Sequence, residues 1–266
     1  MAITTYKEKF WLIYNLALRQ FLQRYRGSFF GVLWPFLAAA IQMAIYAFIF
    51  TMIFGGSWHQ GGTVSVNDNL PVWVIRFAGM IIYFFCSEII GAAPTMVLSV
   101  PNYVKKVRFP LVVLPVVQVL VSITTTIVFI IVLITVLAFT GTIQWQIILT
   151  PLLIIQASFW CLGLSWILSS VGVFIRDLQQ LVPFFLQIML FLTPILYPIS
   201  TVRENWQIFV IINPLAFIID TFRNLALWGI MPSWGTFTAW TAGSVLFAWL
   251  GLFIFQRLRN SFADVM

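Results

Sequence analysis

Apolar residues run along this chain in long blocks, and polar residues gather in the short gaps between them. A helix needs about 20 mostly apolar residues to cross a hydrocarbon core about 30 Å thick. Six blocks meet that length, near 29–54, 72–100, 111–140, 147–175, 181–199 and 234–255. Two other stretches have a different pattern. Between Lys7 and Arg26, the residues Phe10, Tyr14, Leu18, Phe21, Leu22 and Tyr25 recur at helical spacing, with Asn15, Arg19, Gln23 and Arg26 opposite them. This predicts an amphipathic helix lying in the membrane interface, either a plain anchor or an element with a gating or partner role. Between 200 and 233, the apolar pieces 206–212 and 215–227 are separated by Asn213-Pro214, and the second carries Asp220 and Arg223. Each piece is short for a span, so the pattern predicts a helical hairpin on the outer side. It either lies on the membrane or re-enters it, and re-entry requires that its backbone be buried in protein or line a wet cavity.

The predicted fold is therefore all-α and membrane-integral. Residues 1–28 form the interfacial helix, and 29–266 form a transmembrane domain of six helices with the hairpin before the last span. Composition supports this class. Only 8% of residues are charged and 62% are hydrophobic, whereas a soluble domain carries about 25% charged residues. Lysine and arginine then orient the chain. Lys7, Lys9, Arg19, Arg24 and Arg26 precede the first span, and Lys105, Lys106 and Arg108 lie between the second and third. Arg176 lies between the fourth and fifth, and Arg257 and Arg259 follow the last. The loops 55–71 and 141–146 hold neither residue, so both termini are expected in the cytoplasm. Arg76, Arg203 and Arg223 alone fall on the other side or within the bilayer. The net charge of +7 is scattered in these clusters, so the expected surroundings are membrane lipids and not nucleic acid. The polar start at 1–5 does not read as a cleaved leader, and Cys86 and Cys161 lie inside apolar blocks, which argues against a disulfide framework.

Catalytic chemistry is sparse. No phosphate-binding glycine loop is present, so ATP hydrolysis is not expected of this chain. His59 is the one histidine, without carboxylate or cysteine neighbours to make a metal site or a partner for acyl transfer. No nucleophile elbow occurs, so no catalytic, cofactor or metal site is assigned. Intramembrane charge is costly and usually functional. Glu88 falls in the middle of the second block, with Arg76 about three helical turns away, too far to pair within one helix. Glu88 must face the bundle interior, a partner chain or water. A carboxylate hydrogen-bonded to neighbouring helices is preferred over a proton relay.

The order of short motifs is more specific than any one of them. Arg24-Tyr25-Arg26-Gly27-Ser28 leads into Gly31-Val32-Leu33-Trp34-Pro35, and Val104-Lys105-Lys106-Val107-Arg108-Phe109-Pro110 precedes Leu114-Pro115. Arg176-Asp177-Leu178, Thr193-Pro194-Ile195-Leu196-Tyr197-Pro198 and Asn213-Pro214-Leu215 with Phe222-Arg223 follow, and Phe255-Gln256-Arg257-Leu258 with Phe262-Ala263-Asp264 closes the chain. In this order the sequence resembles the transmembrane subunit of ABC-2 type exporters for O-antigen, capsule or teichoic acid, over nearly its whole length.

The resemblance implies a homodimer of this chain bound to two copies of a separate ATPase, which binds the ATP. The pore would lie between the two membrane subunits, in the inner membrane of a bacterium. The substrate would be a lipid-linked polysaccharide. Under this reading a short element between Pro101 and Pro110 docks on the ATPase through Asn102, Tyr103, Lys105, Lys106 and Arg108, with Arg176 and Asp177 in the same coupling region. Alternatively, these charges hold topology only. Aromatic rings stack on the apolar faces of sugars, so Phe30, Trp34, Tyr46, Trp73, Tyr83 and Tyr197 are candidate pore residues, although lipid contact or helix packing is the commoner role for any single ring. The competing readings are an ABC-2 exporter of a drug or small lipid and, in another class, a proton-coupled carrier using Glu88. No convincing inverted repeat of the kind many carriers show is present.

Overall fold

The computed structural model describes residues 6–53, 70–101 and 109–265, and every regular element among them is helical. The principal helices are α1 (Tyr6–Tyr25), α2 (Trp34–Phe48), α3 (Val72–Ala92), α4 (Val113–Thr140) and α5 (Thr150–Phe174). They are followed by α6 (Leu178–Leu192), α7 (Glu204–Ile211), α8 (Pro214–Arg223) and α9 (Trp234–Leu258). Among the described residues, 5 helical stretches are long and apolar enough to cross a membrane: Trp34–Met52, Val72–Thr95, Val113–Thr140, Trp145–Phe174 and Trp234–Ser261. A sixth is reached if Glu204–Val210 and Pro214–Trp228, bent by 92°, count as one span. The chain is thus a multi-pass membrane protein.

Helix boundaries follow from proline and glycine. Gly27, at φ +85°, turns the chain out of α1, and α2 then starts with Pro35 in its first turn, where the missing N–H costs nothing. The block expected to span 72–100 is helical only to Ala92, with a tighter turn at Ala93–Thr95 around Pro94. The block expected over 181–199 is a helix of 15 residues ending at Leu192, roughly 22 Å long. It stops because Thr193 precedes Pro194 and is held extended, at φ −88° and ψ 141°. Asn213-Pro214 does break the following segment. The Asn213 side chain accepts from the Leu215 N–H at 3.0 Å and donates to Thr193 Oγ1 at 3.1 Å, which caps α8 and ties it to the end of α6.

The core is centred on α3, whose Val74, Phe77, Ile81, Ile82 and Phe85 are almost wholly enclosed. Into it pack Leu133 and Leu137 of α4, Ala157 and Cys161 of α5, and Ile218, Ile219 and Phe222 of α8. α2 lies on the outside with Ile41, Ile45 and Phe48 exposed, as is Met52 just beyond it. α5 and α9 meet backbone to backbone: a Cβ on Gly251 would lie 2.2 Å from Gly163 O. Such small-residue contacts are the usual means of close helix packing in membranes, where apolar burial alone gives no preference for protein over lipid.

The two ends of the bundle differ. A second cluster of Val97, Phe109, Trp166, Val173, Phe255 and Phe262, with Leu12 and Leu16 of α1 against it, gathers the end that carries both termini. At the opposite end Gln146 donates to Gly229 O at 2.6 Å, joining the start of α5 to the end of the α7–α8 segment.

Candidate functional site

At the termini end, α1 is fastened across the bundle by two polar contacts. Arg24 forms an ion pair with Glu88, whose side chain remains partly exposed. Glu88 stands about one turn before the end of α3. Burial alone loosens the Arg24 proton, but the charge and hydrogen bond of Glu88 outweigh that loss and hold Arg24 above its ordinary pKa. One turn earlier, Gln20 donates to Gln118 Oε1 at 2.7 Å, and the enclosed Gln118 amide donates in turn to Ser122 Oγ at 3.3 Å. α1 is therefore tied to both α3 and α4.

Beneath α1 lies a cavity of ≈ 400 Å³, lined by Leu16, Arg19, Gln23, Val100, Phe109 and Gln118. Val100 and Phe109 flank the stretch holding Asn102, Tyr103, Lys105, Lys106 and Arg108, which lies outside the described residues, as does His59. The chain thus leaves and rejoins the described structure against α1. Arg176 and Asp177 are exposed in the α5–α6 turn, where the Asp177 carbonyl accepts from the Gln180 and Leu181 N–H groups at 3.0 Å each. An exposed turn, the flanks of a basic segment and a helix fastened to two spans share one end of the bundle. A partner that pushed there would move α3 and α4 together.

Near the opposite end the dominant group is Arg223. Only 2% exposed, it donates from Nε to Ile75 O at 3.0 Å, from one terminal nitrogen to Pro194 O at 2.7 Å and from the other to Ile195 O. Gly79 makes this possible, since a Cβ there would meet the guanidinium at 2.3 Å. Arg76 donates to Leu196 O at 3.0 Å and lies 4.0 Å from the Phe50 ring centroid, a cation–π contact linking α3 to the turn after α2. A cavity of ≈ 290 Å³ borders the site, lined by Pro198, Val210, Phe217, Asp220, Arg223 and Trp240.

The aromatic candidates are dispersed. Phe30 and Trp34 are exposed where α2 begins, with ring centroids 6.0 Å apart. Tyr46 stacks on Phe50 at 6.1 Å, which brings it into the Arg76 group. Trp73 is half-buried at the start of α3. The buried Tyr83 donates its hydroxyl to Leu186 O at 2.6 Å, bridging α3 to α6. Tyr197 donates to Phe191 O at 2.9 Å and to Leu192 O at 3.2 Å, capping the end of α6. Sequence reasoning passed over the partners of Arg223. The signal for them was present, because a cation in an apolar piece of chain must find acceptors, and the turn 193–196 supplies free carbonyls.

The profile of the family described as ABC-2 type transporter matches residues 12–227 of the chain. Among curated proteins, the O-antigen export system permease protein RfbA of Myxococcus xanthus is 27% identical over 257 residues, covering 95% of this chain and 94% of the relative. Two Klebsiella pneumoniae proteins of the same name are 26% and 27% identical over 247 and 246 residues, each covering 91% of this chain and 90% of the relative.

Proposed function

The chain belongs to the ABC-2 type transporter family, and from that premise we propose that it is the membrane subunit of an exporter that moves a lipid-linked polysaccharide of the O-antigen kind out across a bacterial inner membrane. The observation that carries this reading is the collinear match to O-antigen export permeases over nine-tenths or more of both chains. A separate ATPase, in two copies on a homodimer of this chain, supplies the energy.

Charge supports the orientation. Arg19, Arg24, Arg26, Arg176, Arg257 and Arg259 lie at the termini end, against Arg76, Arg203 and Arg223 toward the other, so the termini are cytoplasmic. α6 is the fifth span, a short one that ends in the turn 193–196. The α7–α8 segment is a hairpin that re-enters from outside. Its Arg223 bonds to Ile75, while its Leu215 borders the same cavity as Tyr83 and Cys86, two to three helical turns deeper along α3. The backbone at that depth is enclosed by protein, as the bilayer requires.

The ATPase docks at the cytoplasmic end, on the segment between Pro101 and Pro110, with Arg176 and Asp177 at the same end of the bundle. The fastening of α1 to α3 and α4 carries the motion inward. The glycan passes between two copies of the chain, along faces that present Phe30, Trp34 and Tyr46. The test is deletion of the gene and complementation with the chain and its ATPase. Surface glycan should vanish and lipid-linked glycan accumulate inside, with both reversed on complementation. Normal surface glycan in the deletion strain, with retention of a drug or small lipid instead, would establish the small-substrate alternative.

A further inference from the structure

A narrow slot of ≈ 400 Å³ lies between α3, α5 and α6. It runs from Ile90, Leu168 and Leu178 toward the termini end to Tyr83, Trp160 and Met189 deeper in the bundle. Its lining positions on each helix are mostly three or four residues apart, so each helix contributes one face. From Leu178 to Met189 the slot is about 16 Å long at 1.5 Å per residue. A cavity of that volume and length has room for an extended hydrocarbon chain.

The lining of the slot is almost wholly apolar. The Tyr83 hydroxyl is spent on Leu186 O and the Ser87 hydroxyl on Phe84 O. Both ends of the Asn213 amide are occupied, and Cys86 is a buried free thiol. A water here would lack the two to four partners that hold buried water in place. Phe185 lines the slot and is 57% exposed, so the slot opens along α6 onto the bundle surface. Two residues before Leu178, at its termini end, stands the exposed Arg176, which has no carboxylate partner among the described residues.

We propose that this slot binds the hydrocarbon tail of the substrate's lipid carrier, one chain lying parallel to the helices with its phosphate held at the basic cytoplasmic end. The inference rests on the reading that the substrate is lipid-linked. A long apolar slot open to the bilayer suits a lipid tail, and the unpaired Arg176 at one end suits an anionic head.

The test uses the full chain with its ATPase in lipid nanodiscs and a photoreactive isoprenyl phosphate as probe. Adducts should map to the slot faces of α3, α5 and α6. Excess unlabelled isoprenyl phosphate should lower labelling at least tenfold, and equal phosphatidylglycerol less than twofold. Leu164→Trp, which fills the slot, should lower labelling about tenfold, and Arg176→Gln, an exposed change that leaves the core intact, about threefold. Adducts elsewhere, no response to either variant, or equal competition by phosphatidylglycerol (an ordinary bilayer-lipid site) would overturn the proposal. So would near-complete disulfide dimerisation of Phe185→Cys, which would mean that a second copy covers the slot. Surface glycan in the deletion strain tests the underlying reading separately: glycan lost there but no adducts in the slot would sink this inference alone.

Discussion

Replacing Arg223 by methionine keeps the length and bulk of the side chain and removes its donors. Its partners are main-chain carbonyls of Ile75, Pro194 and Ile195, which no substitution can take away. Ile75 lies inside α3, where its carbonyl also serves the helix. Pro194 and Ile195 lie in the non-helical turn after α6, so their carbonyls are left bare in a buried site. An orphaned buried acceptor costs about 1–3 kcal/mol, giving about 2–6 kcal/mol for the pair. At about 2–4 °C per kcal/mol for a chain of this size, the melting temperature should fall by at least about 4 °C. Cys86 and Cys161 are buried free thiols in the core that Arg223 braces, so a thiol-reactive fluorogenic dye reads the unfolding directly. Arg223→Lys, with a point charge in place of the fork, should fall between methionine and wild type. Gly79→Ala pushes on the same guanidinium, so its effect should be strongly non-additive with Arg223→Met. Melting of Arg223→Met within about 1 °C of wild type, or simple additivity with Gly79→Ala, would refute the carbonyl-clamp reasoning.

Gly251→Val forces side-chain atoms against Gly163 O and should lower the melting temperature by several degrees in the same dye assay, with Gly163→Val doing likewise. Glu88→Gln keeps a hydrogen-bond acceptor for Arg24 but cannot carry a proton, so surface glycan should stay within about threefold of wild type; its abolition in an assembled protein would restore the proton-coupled reading. Lys105→Gln, Lys106→Gln and Arg108→Gln together should weaken ATPase co-purification and lower surface glycan, since three interfacial charges shift docking more than one, and no change in either would return the segment to a topology signal. A reporter fused after Met266 should be active only in its cytoplasmic form, and activity on the other side would mean that 200–233 holds a true span.

Much of this architecture was legible in the hydrophobic pattern, because a helix alone in lipid must be apolar along its length. The amphipathic α1 and the break at Asn213-Pro214 were equally local, set by one face and by one ring. The end of α6 was harder to place: Leu196, Tyr197 and Ile199 continue the apolar run, and only the restriction that Pro194 imposes on Thr193 stops the helix. Glu88 was read at the middle of its block for the same reason, since the apolar run goes on past Thr95, where the helical stretch ends. What could not be read are the contacts across the fold. Arg24 and Glu88 are separated by 64 residues and Arg223 and Ile75 by 148, and nothing in a local window records that they meet. The pore candidates failed to converge on one face because ring chemistry serves lipid, packing and sugar alike; Tyr83 and Tyr197 spend their hydroxyls on carbonyls of α6.

The crossing of Gly163 and Gly251 also bears on how force travels in the molecule. Where helices touch through long side chains, a push at one end is dissipated as rotamers shift between them. Here main chain rests on main chain, with no compliant layer between. α5 and α9 must tilt as a single strut, so a tug on the segment after Leu258 reaches the α5–α6 turn, and the Arg176–Asp177 pair in it, with little slack.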